Sequence, residues 1–113
     1  MPNQNRFRQL HLADMEHGLA QTYAVFDLTP KQISDLTGIR FDTAREGDFD
    51  YALGALLETP GGKQFSLRRY YHSPFQGRTE LIGSESSQNR KLDLAEFLEA
   101  LQIPDHFVLW KIA

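Results

Sequence analysis

Tyr51–His72 reads YALGALLETPGGKQFSLRRYYH, and its layout decides the fold. Pro60, Gly61 and Gly62 separate two runs of strand-forming residues. The fixed φ of proline suits the second position of a β-turn, and Gly61 stands where a type II turn needs a positive φ. Gly62 leaves room for a bulge. The arm before the turn is apolar at Leu53, Ala55 and Leu57 and again at Ala52 and Leu56. That pattern predicts a strand covered on both faces. The arm after the turn alternates. Phe65 and Leu67 share a face with Arg69 and Tyr71, while Ser66, Arg68, Tyr70 and His72 take the other. The alternation predicts a half-buried strand that presents Arg68, Tyr70 and His72 to solvent.

Upstream of the hairpin, Leu12, Met15, Leu19, Tyr23 and Phe26 recur at steps of three and four, which predicts a helix over 12–21. Residues 22–27 suit a helix or a short strand. Thr29, Pro30 and Gln32 form an N-terminal cap and Gly38 a C-terminal one, so a two-turn helix over 30–37 follows. Residues 39–41 alternate as a short strand, and 42–50 form an acidic loop or a further helical turn. The first eight residues are polar and expected to be loose.

Downstream, 79–83 reads as a third strand and 83–91 as an exposed loop. Asp93 with Glu96 resembles a capping box for a helix that Pro104 stops. Phe107–Ile112 is apolar except at Lys111, which predicts an interior strand. The expected fold class is α+β. It is a small single domain over 1–113, a mostly antiparallel sheet of roughly four to five strands with two to three helices packed on one face.

Composition narrows the function. A chain of 113 residues suits one domain, and its 41% apolar and 24% charged content is ordinary for a globular protein. The net charge of −3 weighs against a dedicated nucleic-acid binder, which needs a basic footprint. With no cysteine, disulfides, thiolate metal sites and cysteine nucleophiles are excluded. No stretch has the composition of a leader or a membrane span, so the expected location is cytoplasmic.

No catalytic, nucleotide or metal signature stands out, and no cofactor is expected. His11, Asp14 and His17 fall at steps of three, not at the i, i+4 spacing of the zinc helix motif, and read as a solvated polar face. Asp105 and His106 have no nucleophile brought to them by any recognisable pattern. Pro60–Lys63 lacks the spacing of a phosphate loop.

Two surfaces remain as candidate binding sites. One is the row Arg68, Tyr70 and His72, since arginine and tyrosine dominate interface hot spots. On the opposing view, cross-strand Glu58 and Glu80 neutralise the arginines and the tyrosines pack. The other is the acidic stretch Asp42, Glu46, Asp48 and Asp50, suited to a basic partner. These features predict a protein-binding module, of the kind that serves as an inhibitor, antitoxin or immunity-type protein. The alternative is a small enzyme whose His, Tyr and acidic groups converge only on folding. A third layout makes 30–37 the first helix, 41–57 the recognition helix and the 60–63 turn the wing tip of a winged-helix DNA binder. Its recognition helix would turn Asp42, Glu46, Asp48 and Asp50 toward phosphates that repel them.

Overall fold

The computed structural model describes residues 6–43, 51–70 and 78–112. Among these, seven strands make one antiparallel sheet. They are β1 (Arg8–Leu10), β2 (Leu19–Phe26), β3 (Asp42–Thr43), β4 (Tyr51–Glu58), β5 (Gln64–Tyr70), β6 (Thr79–Ser84) and β7 (Val108–Lys111). The helices are α1 (Pro30–Thr37) and α2 (Arg90–Leu101), with single 3-10 turns at Leu12–Asp14 and Asp105–Phe107. Across the sheet the order is β1-β4-β5-β6-β2-β7, and β3 pairs with β4. No described helix is long and apolar enough to cross a membrane.

The central hairpin forms as the sequence predicts. β4 and β5 pair from Leu53↔Arg69 to Glu58↔Gln64, and β5 pairs onward with β6. The turn differs in detail. Gly62 N–H donates to Thr59 O at 2.9 Å, and Thr59 N–H donates to Lys63 O at 2.9 Å. The positive φ, +90°, belongs to Gly62 and not to Gly61. This is the geometry of a β-turn followed by a left-handed bulge residue, common in hairpins with loops longer than two residues.

Helix α1 is set at both ends by its sequence. Thr29 Oγ1 accepts from Gln32 N–H at 3.2 Å, while Thr29 N–H donates to Gln32 Oε1 at 2.8 Å. Gly38 closes the helix with φ +80° and donates its N–H to Ser34 O at 2.8 Å. α2 starts earlier than its apparent cap. Its N-cap is Asn89, so Asp93 stands in the first turn, where a carboxylate complements the helix dipole.

Several expectations are overturned. The segment predicted as helix over 12–21 is a 3-10 turn followed by β2. Gly18, at φ +84°, interrupts any helix there, and the run from Thr22 to Phe26 is rich in β-branched and aromatic residues. The winged-helix layout fails because its recognition helix is strand at 42–43 and 51–58. The strand expected at 39–41 falls instead at Asp42–Thr43. The final strand is not interior among the described strands: β7 lies at the end of the sheet order. The sheet is wider than predicted because β1 and β2 also pair.

Both helices pack into one core. Ile33 of α1 and Leu94, Phe97, Ala100 and Leu101 of α2 join Tyr23, Phe26, Leu57, Phe65, Leu67 and Leu81 from the sheet. Phe97 stacks on Phe65 with ring centroids 4.5 Å apart. Each of the buried leucine, isoleucine and phenylalanine side chains contributes about 1.5–3 kcal/mol relative to exposure. The opposite sheet face is covered as well. Leu19, Leu56 and Ile82 are buried there beneath Leu10, Leu12 and Met15. The apolar spacing that suggests a helix over 12–21 thus belongs to a segment folded across the sheet.

Candidate interaction surface

The antiparallel register lines side chains into rungs across the sheet. One rung runs Gly54, Arg68, Glu80, Val25 and Trp110, from β4 through β5, β6 and β2 to β7. Its neighbour runs Ala55, Leu67, Leu81, Ala24 and Lys111. Register partners share a face, so the first rung lies on the face away from the main core and the second on the core side. At β7 the rungs end in Trp110 on one face and Lys111 on the other.

The first rung corrects the expectation for Arg68. Arg68 shares a face with Ser66 and Tyr70, opposite Phe65 and Leu67, as the alternation predicts, but that face is not open to water. Arg68 is only 5% exposed and Glu80, directly across on β6, only 6%. The guanidinium donates from Nη2 to Leu19 O at 2.8 Å, from Nη1 to Tyr70 Oη at 3.1 Å and from Nε to Ser66 Oγ at 3.1 Å. Nη2 also meets Met15 Sδ at 3.0 Å. Glu80 Oε1 accepts from Thr22 Oγ1 at 2.9 Å. These bonds satisfy a buried charge and tie the 15–19 segment to the sheet. Tyr70 is half-buried, and the exposed arginine is Arg69.

Of the acidic stretch, Asp42 is exposed on β3, opposite Gly54. Glu46, Asp48, Asp50 and His72 lie outside the described residues. His11, Asp14 and His17 are exposed on turns, where helical spacing no longer relates them. Among the described residues no group of three His or acidic side chains is placed to hold a metal ion. His106 precedes β7 and leans on Phe107, ring centroids 4.2 Å apart. β6 and β2 separate β7 from the strand carrying Tyr70, so these two groups do not converge.

A polar cluster joins the hairpin turn to α2. Lys63 Nζ lies 2.7 Å from Asp93 Oδ1 and 3.3 Å from Glu96 Oε1. Ser87 Oγ donates to Asp93 Oδ2 at 2.6 Å. Burial pushes the Asp93 carboxyl up, but the Lys63 and Ser87 hydrogen bonds outweigh it and hold the group below its ordinary value. The hydrogen bond to Asp93, then that to Glu96, raises Lys63. Beneath them Tyr23 donates to Ser84 O at 2.7 Å, and burial pushes its hydroxyl up. The cluster fastens the turn onto the helix, and its members are partnered with one another.

The surface that the sequence does not announce is β7. Leu109 and Trp110 are consecutive, large and apolar, yet 51% and 45% exposed. Trp110 opposes Val25 and Val108 opposes Phe26, which leaves Leu109 as an unopposed bulge residue. Only β2 pairs with β7 among the described strands, so its outer edge carries open backbone groups. On the core side, Lys91, Leu94, Ala95, Leu98, Lys111 and Ile112 line an adjoining groove of about 400 Å³. The apolar run at 107–112 suggested an interior strand, and no local signal marks it as an edge, because pairing order is a property of the whole chain. The chain matches no protein-family model, no curated protein and no solved structure.

Proposed function

We propose that this chain is a protein-binding module whose contact surface is the β7 edge. One observation carries the proposal: adjacent Leu109 and Trp110 stand about half exposed on the terminal strand of the sheet. Exposed apolar edge strands invite pairing with another chain, and proteins ordinarily blunt them with charge, shortness or cover. The opposite edge shows the contrast. β1 reads Arg-Gln-Leu, its exposed side chain is Arg8, and it carries no exposed large apolar residue. Tryptophan at an interface is a frequent hot spot, since it buries much area at little entropic cost. A strand added to β7 would gain main-chain hydrogen bonds from the edge and side-chain contacts with Trp110.

An inhibitor, antitoxin or immunity-type protein works by such occupancy, and the proposed role belongs to that class. The Arg68 and Tyr70 row then acts as scaffold beneath the surface. The test compares the wild type with a Leu109→Lys/Trp110→Lys variant as bait in extract of the source cell, followed by binding with the purified captured protein. The expected result is a partner that binds wild type and is lost from a variant of unchanged melting temperature. Equal binding of the same partner to both baits would place the contact elsewhere.

A further inference from the structure

We infer that the segment docking on β7 is an extended, acidic–apolar stretch of a different protein, an inference that rests on β7 being the contact surface. The chain has four lysines in its sequence, Lys31, Lys63, Lys91 and Lys111. Lys31 lies 3.5 Å from Asp35 and Lys63 lies 2.7 Å from Asp93. The side-chain ammonium groups of Lys91 and Lys111 have no hydrogen-bond or ion-pair partner among the described residues. These two are the lysines that flank the groove, and its remaining lining is Leu94, Ala95, Leu98 and Ile112. An apolar floor between two ammonium groups without a carboxylate partner among the described residues, and with no carboxylate among the described lining residues, is complementary to apolar side chains flanked by carboxylates.

Strand geometry supplies the same match. Lys111 and Trp110 point to opposite faces at the same edge, as their rungs require. A strand added beside them presents alternate side chains to those two faces. One face of the visitor meets lysine and the groove, which favours carboxylates next to apolar groups. The other meets Trp110, which favours an apolar or aromatic residue. A second copy of this chain fits less well. Its own β7 segment, Val108–Lys111, brings lysine and no carboxylate, and each copy carries a net charge of −3.

Trp110 is the only tryptophan in the chain, so its emission reports occupancy of the edge directly. The experiment titrates the full chain with a short peptide alternating valine and glutamate and with its valine–lysine counterpart. The expected result is a blue shift of Trp110 emission with the glutamate peptide, binding about tenfold tighter than the lysine peptide, as two partly exposed ion pairs would give. A Lys91→Glu/Lys111→Glu variant should reverse that preference. Equal binding of both peptides, or of neither, overturns the inference. So does a concentration-dependent dimer in sedimentation that Trp110→Lys abolishes, which would make the occupant a second copy. The broader reading fails separately: it falls only if the Leu109→Lys/Trp110→Lys bait keeps the wild-type partner.

Discussion

The ring of Tyr23 rests on Gly83, so close that a Cβ built on Gly83 would come within 2.5 Å of the ring Cζ. The contact arises because the β2–β6 register shifts between Thr22 and Ala24, which leaves Tyr23 without a cross-strand partner. Its ring then crosses the neighbouring strand, and its hydroxyl reaches Ser84 O. Gly83→Ala forces the buried ring to move. The expected cost is about 1–3 kcal/mol in denaturant unfolding, the range for overpacking a tight core. Tyr23→Phe keeps the ring and loses the hydroxyl bond, at about 1 kcal/mol. A Gly83→Ala protein as stable as wild type would show that the contact is slack.

The hairpin turn offers a paired test. Gly62 holds φ +90° with nothing within 4 Å of a built Cβ, so its requirement is conformational and not steric. Gly62→Ala should cost about 1–2 kcal/mol, the penalty of placing an L side chain in the left-handed region. A Cβ on Gly61 meets Glu96 Oε2 at 3.5 Å, an ordinary contact, and Gly61 has no positive φ. Gly61→Ala should therefore change stability by no more than about 0.5 kcal/mol. Thermal melts of the two variants decide the assignment. The sequence marks a turn clearly here but not which glycine bends back, because two turn types place that residue one position apart.

Neighbouring Arg68 and Arg69 should behave as differently as their burial. Arg68→Ala removes a buried cation that binds Leu19 O and faces Glu80 across the strands. The expected destabilisation is about 3–5 kcal/mol, as when a buried, hydrogen-bonded charge is removed from its network. Arg69→Ala, on an exposed side chain, should stay within about 0.5 kcal/mol. Equilibrium unfolding of the two variants is the measurement, and similar losses would contradict the burial. Alternation along β5 makes the two faces legible from sequence alone. It does not say what covers a face. The cover comes from Leu10, Leu12 and Met15, whose spacing imitates a helix.

Legibility elsewhere follows the range of the interactions. α1 was readable to the residue because its caps are local, written in Thr29, Gln32 and Gly38. β4 and β5 were readable because a short turn joins them. The length of β2 and the edge position of β7 are not readable, since their partners are distant in the chain: Val25 pairs with both Glu80 and Trp110. The candidate surface inherits that difficulty. Leu109 and Trp110 belong to an apolar run that resembles core until the sheet order places it at the rim. Of the binding residues read from sequence, Asp42 alone is plainly exposed among those the structure describes.

The Lys63–Asp93 pair gives stability a pH signature. Asp93 is held below its unfolded value of about 3.9, so its contribution is present above about pH 4 and lost as pH falls through the folded value. Lys63 is raised above its unfolded value of about 10.4, so its contribution is present below that pH and lost as pH rises through the folded value. Lys63 is 45% exposed, which screens the pair. Asp93 is more enclosed, and Ser87 binds its second oxygen. Asp93→Asn should lower the melting temperature at neutral pH, and that difference should shrink below about pH 4, where wild type loses the same charge. The hairpin turn should loosen in step, seen as faster amide exchange at Gly62 and Lys63. A wild-type-to-variant difference that stays constant from pH 7 to pH 3 would mean that the pair contributes no net charge–charge stabilisation.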